Sequence, residues 1–189
     1  MRAEVEIKVK IKPKQIEKIK KTLLNLGAVL MENRKESDSY FTAAYRDFIA
    51  TKECLRVREC DGAVEITYKG PTTNAMKEQK QFWKEEINLP VNGSKESAEN
   101  LLQSLNFKKI VDVVKQREVF SLGGQRVIFD VVEGAGNFVE IETIIKDKSE
   151  REAAVVKNRE LLKKLGLKEQ DIVAEPYRDL VLENLKTRR

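Results

Sequence analysis

Residues 4–12 read EVEIKVKIK, a strict alternation that puts Val5, Ile7, Val9 and Ile11 on one face and Glu4, Glu6, Lys8 and Lys10 on the other. A period of two over this length predicts a β-strand with one apolar and one charged face. The same test predicts strands at LRVRE (55–59), AVEITYKG (63–70), FWKEEINL (82–89), VVKQREVFS (113–121), QRVIFDVVE (125–133) and NFVEIETII (137–145).

Between the strands the period changes. After Pro13, Ile16, Ile19, Leu23 and Leu26 fall at helical intervals and Gly27 ends the run. Further helices are predicted from Ser94, with Ser94 or Ser97 as cap, and from Ser149, with Glu152 at the capping-box position. A short last helix is expected after Pro176. GGQR (123–126) reads as a hairpin turn and PTTNAMKEQKQ (71–81) as a polar connection between strands. Gly134 and Gly136 in EGAGN suggest a tight turn between strands, because no helix start follows to make a phosphate loop. No linker divides the chain, so residues 1–189 are read as one α+β domain.

Composition narrows the chemistry. The chain has no histidine and only Cys54 and Cys60, which excludes thiol-rich or histidine zinc sites and the Ser/His and Cys/His nucleophile pairs. Catalysis would have to run on carboxylates, amines, tyrosine or a metal. No stretch approaches the roughly 18 apolar residues of a membrane span. With no apolar leader in MRAEVEIKVK, the expected location is cytoplasmic. Charged residues make up 35% of the chain, against roughly 25% in ordinary soluble domains, and the net charge of +5 favours anionic partners.

Those charges have two places to go. In an open antiparallel sheet, helices cover the apolar face and the charged face meets water. In a sheet closed into a barrel, the apolar side chains point outward beneath helices and the charged faces line a tunnel. Periodicity alone leaves both open; segregation of sign by strand favours the tunnel. Glu4, Glu6, Glu140 and Glu142 share two strands, while Arg56, Arg58, Lys69, Lys115 and Arg117 share three others. Clustered carboxylates repel unless protonated or bound to a cation such as Mg²⁺ or Mn²⁺. Converging Lys and Arg residues are relieved by a polyanion such as a triphosphate.

These elements occur in a telling order: Glu4, Glu6 and Lys8 as E-x-E-x-K; Asp38, Tyr40 and Phe41 in DSYF; Arg56 and Arg58 in LRVR; Lys69 in TYKGP; Lys115 and Arg117 in KQR; Asp130 in FDVVEGAG; Glu140 and Glu142 in FVEIE; then PYRDLVLE. In that series the chain resembles the CYTH, or triphosphate tunnel metalloenzyme, family and its class IV adenylyl cyclase branch. The sequence departs from the family pattern at FWKEEIN, which turns Lys84, Glu86 and Asn88 inward, and at Pro176, where the family often has serine.

The resemblance implies a closed, antiparallel, eight-stranded β-barrel with helices packed outside. It implies Mg²⁺ or Mn²⁺ held by Glu4, Glu6, Glu140 and Glu142, with Asp130 assisting. Lys8, Arg56, Arg58, Lys69, Lys84, Lys115 and Arg117 would hold phosphates, and Tyr40 near Lys8 would help to activate a nucleophile. The implied substrate is ATP, cyclised to cyclic AMP and pyrophosphate. Two other readings stay open: hydrolysis of tripolyphosphate, thiamine triphosphate or a nucleotide, and non-catalytic binding of polyphosphate or RNA ends. Nucleic acid as such and a membrane are not expected partners, and a homodimer through an outer barrel face is left open.

Overall fold

A computed structural model describes residues 3–71 and 82–187. The strands are β1 (Ala3–Ile11), β2 (Val29–Ala43), β3 (Cys54–Cys60), β4 (Ala63–Lys69), β5 (Phe82–Val91), β6 (Phe107–Leu122), β7 (Gln125–Val132) and β8 (Gly136–Ile145). Among the described residues four α-helices join them: α1 (Ile16–Asn25), α2 (Lys95–Ser104), α3 (Arg151–Lys164) and α4 (Tyr177–Thr187). The strands run in the order β1-β5-β4-β3-β2-β6-β7-β8 and close on themselves, β8 pairing antiparallel with β1 along Ala3–Ile11.

The barrel reading of the charge pattern therefore holds, and the apolar faces are outside. Ile7, Val9 and Ile11 pack with Phe120, Val127 and Ile141 beneath Ile19 and Leu23 of α1 and Leu161 and Leu162 of α3. Ala98 and Leu102 of α2 cover Phe41, Leu55, Val57 and Val64. Tyr177 and Val181 of α4 cover Val113, Val132 and Phe138. Fully burying one such side chain is worth about 1.5–3 kcal/mol, so the helices that seal the outer wall leave the inner wall free to be polar.

Several local expectations hold. Ser94 caps α2, its hydroxyl accepting from the Ser97 amide at 3.1 Å. Gly123 and Gly124 take φ of 55° and 81° in the β6–β7 hairpin, angles that L side chains rarely adopt. Gly134 lies in the β7–β8 turn and Gly136 opens β8, both at positive φ.

Two expectations change. The start of α3 is not a Ser149 capping box: a 3-10 turn covers Lys148–Glu150 and the cap position is Glu150, with no side-chain cap bond. The other is β2, 15 residues long, which the alternation test passes over. Its pairing with β6 shifts register between Leu30 and Glu32 and again between Tyr40 and Phe41, so no single period runs through it. The predicted connection at 71–81 lies, apart from Pro71, outside the described residues. No helix among the described residues is long and apolar enough to cross a membrane.

Candidate active site

A cavity of about 270 Å³ occupies the barrel interior. Glu4, Glu6 and Lys8 of β1 face Glu140 and Glu142 of β8, in a register that sets Glu6 beside Glu142 and Lys8 beside Glu140. The lining continues through Arg56 and Arg58 of β3, Lys69 of β4, Glu86 and Asn88 of β5, and Lys115 and Arg117 of β6. Tyr40 lines it from β2. The side chain of Lys84 lies outside the described residues; its backbone pairs with Glu4.

The acidic wall is electrostatically strained. Burial, then Glu4 and Glu140, push the Glu142 carboxyl up to about 8. Burial and Glu140 also raise Glu6, against the pull of Lys69 and Lys8. Glu142 Oε2 is buried without a hydrogen-bond partner, although Arg126 Nη1 stands 3.3 Å away. Burial works against the charge of Glu140 too, but Arg117 and Lys8 outweigh it and hold that carboxyl below its usual range.

The basic wall is braced from behind. Glu36 and Asp38 of β2 are fully buried. Asp38 takes a bidentate contact from Arg58, at 2.6 Å from Nε and 2.8 Å from Nη2, and a third bond from Lys115 at 2.9 Å. Glu36 meets Arg34 Nε at 2.8 Å and Arg58 Nη2 at 3.0 Å. Burial opposes ionisation of both acids, and the surrounding Lys115, Arg58, Arg56 and Arg117 overcome it. Glu86, opposed by burial but paired with Lys69 at 2.8 Å, is drawn down to about 2. Arg56 Nε is buried with no hydrogen-bond partner. The cavity thus holds an unsatisfied donor on one wall and an unsatisfied acceptor on the other.

Two residues meet surroundings that bear on their expected roles. Asp130 lies behind the lining, where it accepts from Arg117 Nε at 2.8 Å and from the Tyr177 hydroxyl at 2.9 Å and so orients an arginine. Burial, then Asp38 and Cys54, raise the Tyr40 phenol above its ordinary range, which favours its protonated form. Tyr177 also joins this wall, with its hydroxyl on Asp130 and its ring 4.7 Å beneath Lys8 Nζ.

Sequence reasoning missed Glu36, Arg34, Arg126 and Arg178. Glu36 and Arg34 were within reach, since counting back from Tyr40 in steps of two meets Asp38, Glu36 and Arg34. Arg178 had no such signal: it sits at the start of α4 and reaches the Glu53 carbonyl at 2.8 Å across the fold.

The CYTH domain family matches residues 2–177. The chain belongs to that family. Members of the CYTH family are adenylyl cyclases or triphosphatases acting on triphosphate substrates. A Methanocaldococcus jannaschii protein provisionally named an adenylate cyclase is 35% identical, over 94% of this chain and 97% of its own. The adenylate cyclase CyaB of Aeromonas hydrophila is 24% identical over 83% of this chain and 78% of its own. A solved structure from Pyrococcus horikoshii superposes with a TM-score of 0.82 at 34% identity, covering 95% of this chain and 98% of that one.

Proposed function

We propose that this CYTH protein is a divalent-metal-dependent enzyme that grips the triphosphate of ATP in its barrel and releases cyclic AMP and pyrophosphate. The observation that carries the reading is the division of one cavity into an acidic wall, on β1 and β8, and a basic wall, on β3, β4 and β6. The adenylate cyclase names of its relatives support cyclisation over other triphosphate chemistry.

The residues fit a cation. Burial and neighbouring carboxylates disfavour the charged forms of Glu142 and Glu6, a cost that a cation would relieve, and Glu142 Oε2 has no hydrogen-bond partner. Among the described residues no three acidic, cysteine or histidine side chains are placed together to hold a metal ion, so the carboxylates would have to draw in around Mg²⁺ or Mn²⁺, with water and phosphate oxygens completing its shell. Glu4, Glu6, Glu140 and Glu142 would hold it. When bound, such an ion neutralises phosphate charge and favours the ionised form of the attacking oxygen.

The chain's own groups do the rest. Arg56, Arg58, Lys69, Lys115 and Arg117 align the phosphates, and with Lys8 they balance the negative charge that builds up on the leaving pyrophosphate. Glu36, Asp38 and Asp130 keep those cations from turning away. The ribose 3′ oxygen attacks the α-phosphorus as its proton passes to solvent water, and the bridging bond between the α- and β-phosphates breaks in line, the electron pair leaving with the pyrophosphate. Tyr40, held protonated, donates to a phosphate oxygen. The free thiols of Cys54 and Cys60 suit a reducing cytoplasm.

Incubation with Mg²⁺ or Mn²⁺ and either ATP or tripolyphosphate, with every product separated chromatographically, tests this. Cyclic AMP with pyrophosphate is expected. Orthophosphate alone would replace cyclisation by hydrolysis of the terminal phosphate, and binding without any product would leave a non-catalytic tunnel.

A further inference from the structure

The packed face of α3 contains one polar residue. Its other buried side chains, Ala154, Val155, Leu161 and Leu162, are apolar and sit against the outer wall of β1 and β8, and Asn158, with no exposed surface, stands among them. A leucine would pack there with no polar atom to satisfy. The amide instead fills all four of its hydrogen-bonding places. Its Oδ1 accepts from Thr143 Oγ1 at 2.7 Å and from Gln125 Nε2 at 2.9 Å, while its Nδ2 donates to the carbonyl of Val5 at 2.9 Å and to that of Ile141 at 3.3 Å. The two carbonyls fix which way the amide points, since reversing it would set oxygen against oxygen at both.

Those carbonyls belong to the residues between the paired acids. Val5 separates Glu4 from Glu6 on β1, Ile141 separates Glu140 from Glu142 on β8, and Glu6 stands beside Glu142 across the seam. One side chain of α3 thus grips both strands from outside, at the level where four carboxylates crowd the inside.

We infer that Asn158 is a positioning residue for the cation: by tying the Val5 and Ile141 carbonyls to one amide, it holds the β1–β8 seam close enough for Glu4, Glu6, Glu140 and Glu142 to draw in around a divalent metal. The inference rests on the metal reading proposed above. The carboxylates repel one another, so without the clasp the strands ease apart until the repulsion falls, and a cation must then pull them back. Groups that orient metal ligands from behind commonly change metal affinity by roughly 10–100-fold. None of the four Asn158 bonds reaches the basic wall on β3, β4 and β6, which supplies an internal control.

Titration of Mn²⁺ into the nucleotide-free full chain, followed by the paramagnetic resonance of the free ion, tests the inference, with calorimetry of tripolyphosphate binding in metal-free buffer alongside. Asn158→Leu is expected to raise the Mn²⁺ dissociation constant at least ~10-fold and to leave tripolyphosphate affinity within about 2-fold of native. Asn158→Ala, which leaves room for water at both carbonyls, gives the same comparison should the leucine variant fail to fold. Thr143→Val removes one bond to Oδ1 and keeps both carbonyl bonds, so it should lower the melting temperature without loosening Mn²⁺. A parallel loss of both ligands in the Asn158 variants, or equal loosening of Mn²⁺ by Thr143→Val, would make Asn158 a support of the whole barrel and overturns the inference. Unchanged Mn²⁺ affinity in the Asn158 variants overturns it alone; a native chain that binds no Mn²⁺ overturns the metal reading with it.

Discussion

The ammonium of Lys115 stands 2.9 Å from Oδ2 of Asp38, with both side chains cut off from solvent. A second carboxylate, Glu36, lies at the same 2.9 Å. Lys115 nonetheless sits low for a lysine: burial disfavours its charge, and neighbouring Arg58 and Arg117 add to that against the help of Asp38. The basic wall is thus a pre-compressed array in which acids behind hold cations in front.

Removing one acid should expose that compression. Asp38→Asn leaves Lys115 and Arg58 short of a buried counter-charge, and breaking a buried pair from one side costs about 3–5 kcal/mol. Urea unfolding should register a loss of that size. A double-mutant cycle with Lys115→Met should recover part of it, since the uncompensated charge is then gone.

On the opposite wall, Glu4→Gln and Glu142→Gln should each abolish metal-dependent turnover while leaving circular dichroism unchanged. Undiminished turnover in both would remove these carboxylates from metal binding.

Glu142 also predicts a pH dependence. Its folded-state pKa of about 8 lies above the ordinary 4.5, so between those values the unfolded chain releases the proton first and stability falls as pH rises. Glutamine does not titrate. In metal-free buffer the stability of Glu142→Gln relative to the native sequence should therefore improve from pH 5 to pH 9, by an amount on the order of a few kcal/mol. Thermal melts at the two pH values measure it; an unchanged difference would mean the carboxylate is not compressed.

Arg56 offers a buried Nε with no partner of its own. Arg56→Ala should weaken tripolyphosphate binding by about 1–3 kcal/mol, the usual cost of a lost charge-assisted contact. Calorimetry gives that figure directly, and unchanged affinity would place the phosphates elsewhere.

How far the sequence carried the fold depended on which physical rule each strand obeys. β1 alternates because one face meets packed helices and the other a charged cavity, so period two survives from Glu4 to Ile11. β2 obeys no such rule. Its two register shifts break the period, and from Glu32 to Glu36 both faces are polar because the outer one is exposed. Glu36 was lost with it. The inward placement of Arg56, Arg58, Lys69, Lys115 and Arg117 followed from alternation together with sign. That Asp130 would be drawn to Arg117 could not be read, because the partner lies on a neighbouring strand and the choice between arginine and glutamates is made in three dimensions.

The pairing of β1 with β5 and β8 also bears on the order in which the molecule is made. Of the eight barrel strands β1 is synthesised before the others; it has no neighbour until residues 82–85 appear, and its long partner arrives only with residues 137–145. β2, β3 and β4 form a local meander that can zip early, whereas β1 must wait as a solvated ribbon until most of the chain has been synthesised. Glu4 and Glu6 meet Glu140 and Glu142 only at that closing step. Their mutual repulsion is therefore deferred to the last seam, where a cation from solution can ease the join.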